Sequence, residues 1–415
     1  MLSDSRRDLG TTARDLLTAA AVRARANLML EEGLAGRLPH FNVRPERLPA
    51  AAAYVAETIR LNYPALEVPP HARWRHFVIS GVDRWTEIAN RIETDEIERA
   101  RIRIDLVVIS VLLDAGAGPS WRWRDPRTER TLARSEGLAI ASLEAFASGL
   151  FSSDPARPYR VDAERLARLT LNELAAAFQA DAANPLEGLE GRLTLLHRLG
   201  ATAAADQMSF GADGRIGNLY DRLAREASAR GGDLPAPMIL TALLDALGPI
   251  WPGRLTLVGL PLGDTWHHPA IAVPGETDGL IPFHKLSQWL AYSMIEPLQE
   301  AGLEVSEIGG LTGLAEYRNG GLFLDFGVLE ARQRDLLSTP LKPSDEPVVE
   351  WRALTVALLD RVAPLVRAEL GLSEQALPLA SVLEGGTWAA GRRIARERRE
   401  GGTPPVTLIS DGSIF

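Results

Sequence analysis

VVEWRALTVALLDRVAPLVRAELG (348–371) is the stretch that decides the fold. It is a long helical pattern, with Pro364 inside it where a kink or a break is expected. Patterns of the same kind recur along the chain. Thr11 or Thr12 can cap a helix running toward Gly33, with Leu16, Leu17, Ala20 and Ala24 on one side. LPAAAAYVAETIRLNYP (48–64) is an alanine-rich helix that stops before Pro64. Asp83, Ser135 and Asp162 stand where helix caps belong, the last ahead of DAERLARLTLNELAAAFQA (162–180). LEGLEGRLTLLHRLG (186–200) ends on a glycine suited to closing a helix. FHKLSQWLAYSMIEPLQEAG (283–302) adds another long pattern.

Strand signals are few: RLTLVGL (254–260), PPVTLIS (404–410) and, more weakly, GLFLDFG (321–327). The expected fold is therefore mainly α with a few short strands. The glycine- and proline-rich breaks contain no long flexible linker. One large domain over 1–415 is expected, divisible into subdomains near 1–230 and 231–415, with the pocket built mainly by the C-terminal half.

Composition narrows the function. The chain has 415 residues, 46% hydrophobic and 24% charged, enough for a sizeable core. A net charge of −9 disfavours a general nucleic-acid binder. The absence of cysteine excludes disulfides, thiolate zinc sites and cysteine nucleophiles. The most apolar run, IDLVVISVLLDAGAG (104–118), is too short to span a bilayer and carries Asp105 and Asp114. The N-terminus lacks an apolar secretory core. A cytoplasmic protein acting on a small molecule, with no nucleic-acid or membrane partner, is the expectation.

Four clusters place polar groups beside glycines. In GLPLGDTWHHP (259–269), Asp264, Trp266, His267 and His268 follow an expected strand; adjacent histidines do not make metal-ligand spacing, and a plain surface loop takes half the weight. In LIPFHKLSQWL (280–290), His284, Lys285 and Gln288 open a helix, either as an anion site or as caps of the first turn. In LTGLAEYRNGG (311–321), Glu316, Tyr317, Arg318 and Asn319 lie between apolar flanks; a surface ion pair is the common case, whereas a buried acid and base must be paired or functional. The fourth cluster is split. Glu350 and Arg352 face different sides of their helix, and Glu384, Gly385, Gly386 and Thr387 stand at an expected helix start able to cradle an anion, followed by Trp388.

Taken together, RSEGLAIASLEAF (134–146), NPLEGLEGRLTLLHRLG (184–200), PFHKLSQWLAYSMIEPL (282–298), LTGLAEYRNGGLFLDFGVL (311–329), VEWRALTVALLD (349–360), LEGGTWAAGRRIA (383–395) and SDGSIF (410–415) resemble the fungal and bacterial uracil-catabolism proteins, from about residue 10 to 415. That resemblance implies a route in which the pyrimidine ring is opened at the nucleotide level and a ribosylated urea is formed. A fainter resemblance links FHKLSQ (283–288), LTGLAEYRNGG, GVL (327–329) and EWRA (350–353) to the queuosine 5′-phosphate salvage hydrolases, helical enzymes similar to DNA glycosylases that cleave an N-glycosidic bond. It implies motif positions at Lys285, Glu316, Tyr317, Arg318, Glu350 and Arg352. Glu316 stands where those enzymes carry Asp, and Asn319-Gly320-Gly321 replaces Val-Pro-Gln.

The expected activity is N-ribosyl hydrolysis of ribosylurea or its 5′-phosphate to urea and ribose (phosphate), without metal or cofactor. Glu316 is the expected carboxylate, with Asp264 and Asp325 in reserve. Gln288, Asn319 and His268 are expected to bond the urea. Lys285 and Arg318, or the Gly385-Gly386-Thr387 helix start, would bind phosphate, and Trp266 and Trp388 would wall the pocket. Two alternatives remain: a ring-opening, amidohydrolase-like step on a pyrimidine nucleotide, and a non-catalytic partner that binds the intermediate.

Overall fold

The computed structural model describes residues 12–251 and 255–409. The fold is mainly α, and every sheet among the described residues is a two-stranded ribbon. The chain forms two compact units. The first takes its described residues from the stretches ending at His71 and Gln288 and from Glu307–Ile409; the second takes them from the stretch beginning at Ala72 and from Trp289–Ser306.

In the first unit the Glu346–Leu370 helix is central and packs against helices Ala19–Leu34 and Leu48–Asn62. Alanines make that approach possible. Ala26, Ala51, Ala52, Ala353 and Ala357 are all buried, and small side chains bring helix axes close. Arg23 on the first helix donates to Asp360 on the central one at 2.8 Å. Pro364 does not divide the helix, which runs unbroken for 25 residues. Proline removes one backbone bond, while buried Val362, Ala363 and Val366 hold both flanks of the gap in the core.

In the second unit residues 104–112 of the apolar run are the buried end of helix Glu96–Leu112. Its charge is answered internally: Asp105 accepts from Arg215 Nε at 2.8 Å and from the Gly217 amide at 2.6 Å. No helix among the described residues is long and apolar enough to cross a membrane.

Several local expectations change. GLFLDFG is the body of helix Tyr317–Asp325, because Glu316 caps it and its apolar residues pack at helical steps. RLTLVGL becomes a hairpin, Thr256–Leu257 against Leu260–Pro261, turned by left-handed Val258 and Gly259; Arg254 lies outside the described residues. PPVTLIS contributes only a bridge at Leu408 to Leu341, and Ser410 lies outside the described residues. The 162–180 pattern divides into Ala163–Arg168 and Leu171–Ala177, because Thr170 and Glu173 form a capping box that starts a second helix. Helix Leu189–Ala205 continues through Gly200; a Cβ there would meet Leu166 at 2.9 Å, so the glycine serves close packing. Ser135 lies inside helix Arg134–Ala147, whose cap position is Ala133, and its hydroxyl donates to Asp114. Asp83 and Asp162 cap as expected.

Candidate functional site

The candidate site lies in the first unit and is built on two helix starts. Glu316 has extended backbone and caps helix Tyr317–Asp325, accepting from the Arg318 amide at 2.8 Å and from the Asn319 amide. The helix packs on the segment Val382–Trp388 and on helix Ala389–Arg398. One glycine permits this, and a second admits the central helix. A Cβ on Gly391 would lie 2.2 Å from the Arg318 carbonyl oxygen, and one on Gly320 would strike Trp351 at 2.6 Å.

Burial pushes the Glu316 carboxyl above its usual range. The two amide bonds and the positive charges of Lys285 and Arg318 oppose that shift. Arg318 Nη1 donates to the Gly402 carbonyl at 2.9 Å while its guanidinium lies over the Tyr317 ring. The acid and base that the sequence allowed as a surface pair are not at the surface. Both residues are buried.

Asp264 is held differently. It precedes the strand Thr265–His267, which pairs with Leu280–Pro282. Its Oδ1 accepts from Arg352 Nη1 at 2.9 Å and Trp266 Nε1 at 2.7 Å. Its Oδ2 accepts from Arg352 Nη2 at 2.7 Å and the Lys285 amide at 3.1 Å. Four donors fill the capacity of a carboxylate, so Asp264 anchors Trp266 and the Lys285 helix start. Arg352 also reaches the Ala315 carbonyl at 3.5 Å, beside Glu316. The strap thus brings Asp264, Trp266, Lys285 and Arg352 to the neighbourhood of Glu316.

Other expected residues fall elsewhere in the unit. Asp325 is fixed by a two-pronged bond from Arg399 at 2.7 and 2.6 Å. His268 accepts the Ala270 amide on Nδ1, which leaves its proton on Nε2, 3.3 Å from Glu350; both side chains are fully buried, and Glu350 also takes the Phe41 amide. The Gln288 amide group is committed to Thr312 and the Phe283 carbonyl. His284, in left-handed backbone, donates Nε2–H to the Leu16 carbonyl. Gly385, Gly386 and Thr387 do not open a helix. They lie inside a widened helical turn, Val382–Trp388, and the glycines admit Val68, Tyr63, Val55 and Ile59. The anion cradle expected there has no free helix end to supply it.

Buried polar atoms near these elements without a hydrogen-bond partner among the described residues include Asn319 Oδ1, Thr387 Oγ1 and Trp351 Nε1. Two groups escaped the sequence reading. Thr312 locks Gln288, and it stood unremarked within LTGL. His71 holds Glu384 at 2.5 Å from Nδ1, with its ring 5.8 Å from Trp388; nothing in PPHARW (69–74) marks it. The widened turn under this pair is the sort of helix irregularity that gathers at functional sites.

Residues 15–415 match the family described as "protein of unknown function (DUF1688)". The chain is 39% identical to Protein urg3 of Schizosaccharomyces pombe, over 97% of this chain and 99% of that protein. It is 37% identical to Uracil catabolism protein 4 of Lachancea kluyveri, over 92% and 93% of the two. With a match over nearly its whole length and relatives this similar, the chain belongs to the DUF1688 family.

Proposed function

We propose that the protein serves uracil catabolism, as the name of the Lachancea kluyveri relative indicates for that protein, and that its reaction is hydrolysis of the N-ribosyl bond of ribosylurea or its 5′-phosphate. One observation carries the choice of catalytic group. Of the three candidate carboxylates, Asp264 and Asp325 are each clamped by an arginine, while among the described residues Glu316 is buried and accepts from two backbone amides. It keeps acceptor capacity for a reacting water.

In this reaction a water oxygen bonds to C1′ as the C1′–N bond breaks. The water gives up a proton and the urea nitrogen receives one, leaving ribose (phosphate) and urea. Glu316 stabilises the positive charge that develops at C1′ and takes the proton from water. Asn319 Oδ1, a buried acceptor without a partner among the described residues, suits a urea N–H. Lys285 sets the charge opposite Glu316, and the Asp264–Arg352 strap fixes the helix that carries it.

Incubation of the purified protein with ribosylurea 5′-phosphate, followed by mass spectrometry, tests this. Free urea and ribose phosphate are expected. A parallel incubation in which a pyrimidine nucleotide, and not ribosylurea 5′-phosphate, is converted to an opened product with its N-ribosyl bond intact would support ring-opening chemistry instead, and bound ligand left unaltered in both incubations would make the protein a carrier.

A further inference from the structure

The second unit holds a buried polar cluster around Arg73, outside the site described above. Arg73 is completely buried at the start of the turn Arg73–Phe77. Its Nε donates to Ser110 Oγ at 2.7 Å, and Ser110 in turn meets Ser142 at 2.7 Å. Its Nη1 lies 2.8 Å from Asp114, 3.2 Å from His76 Nδ1 and 3.4 Å from Ser135 Oγ. Ser135 donates to Asp114 at 2.7 Å. The indole of Trp289 lies beside the guanidinium, 5.5 Å away.

Nη2 alone has no hydrogen-bond partner among the described residues. A guanidinium always donates, and an unanswered donor at a fully buried position is costly. An acceptor brought by an internal water or by a ligand would answer it. The chemistry of that acceptor follows from the charges. Asp114 already neutralises Arg73, and Glu136 acts on it as well. A second anion would leave buried negative charge in excess, whereas a neutral carbonyl oxygen takes the donor without adding charge. Because Arg73 donates to His76 Nδ1, a neutral His76 carries its proton on Nε2 and is itself a donor. The RSEGLA motif (134–139) has its place here: it supplies Ser135, and Arg134 before it is held in a left-handed conformation with φ 56°, a strain that collects at functional positions.

We infer that Arg73 Nη2 is a recognition site in the second unit for the carbonyl oxygen of a neutral amide or ureide. The ligand class draws on the uracil-catabolism reading, but binding at Arg73 is independent of whether Glu316 cleaves a bond.

The test combines calorimetry and crystallography on the full chain, with uracil and N-methylurea as probes and acetate as the anionic control. Uracil or N-methylurea is expected to bind with a carbonyl oxygen at hydrogen-bond distance from Nη2, and acetate is not. Arg73→Lys is expected to weaken binding at this position roughly tenfold or more. Equal binding by Arg73→Lys, an internal water alone at Nη2 in crystals grown with either probe, preferential binding of acetate, or no binding of either probe would overturn the inference. Failure of ribosylurea hydrolysis with binding at Arg73 retained would remove only the proposed reaction.

Discussion

One helix, Tyr317–Asp325, carries a carboxylate at each end, and the two are stabilised in different ways. Glu316 at the N-terminus sits where backbone amides point outward and the helix dipole is positive, so two amides suffice to hold it. Asp325 at the other end faces the negative pole and carbonyl groups, and it is matched by the full guanidinium of Arg399. A side chain held by the backbone alone keeps room for a ligand; one gripped by an arginine is spent on structure. Asp264, with four donors, is the extreme of the second kind.

The largest effect expected from breaking that contrast is at Asp264. Arg352→Met leaves its carboxylate buried without its main partner, and a loss of about 3–5 kcal/mol is expected in denaturant unfolding. A change under 1 kcal/mol would mean that the strap does not anchor the site. Next is Glu316→Gln. Turnover of ribosylurea 5′-phosphate should fall by at least ~10²-fold with the fold intact by circular dichroism. Gly391→Ala should cost about 1–3 kcal/mol, because its methyl must displace the Arg318 carbonyl and with it the helix that Glu316 caps. Arg399→Gln, at a partly exposed pair, should change stability by about 1 kcal/mol or less and leave turnover near normal.

Glu316 also has a pH signature of defined sign. Its folded-state pKa is raised above 4.5, mainly by burial. The fold therefore favours the protonated form: this contribution is present below pH 4.5 and is lost as pH rises through the raised value. Activity that needs the ionised form should move the opposite way, rising across the same window. The stability of Glu316→Gln relative to the unaltered protein should increase over that interval, read from unfolding midpoints at several pH values. A flat difference would show that Glu316 is not burial-shifted.

The helical character of the chain was legible because long apolar periodicities and caps at Asp83 and Asp162 act locally. Where the structure departs, distant packing decides. Gly200 continues a helix because Leu166 presses on it, and Pro364 is tolerated because its neighbours are buried on both sides. The 321–327 segment read as a strand because its glycines and short apolar run hide helical periodicity until the Glu316 cap is recognised. Within the candidate site, the motif LTGLAEYRNGG pointed to Glu316, but which donors reach Asp264, Asp325 and Gln288 depends on residues far away in sequence. Arg399, Arg352 and Thr312 could not be assigned to those partners from spacing alone. His71 and Arg73 were missed for the same reason, since their partners lie up to 313 residues distant.

The most direct measurement is product analysis of ribosylurea 5′-phosphate with the unaltered protein and Glu316→Gln side by side. The account requires urea and ribose phosphate from the first and at least a ~10²-fold slower appearance from the second. Near-normal turnover by a folded Glu316→Gln protein would contradict it.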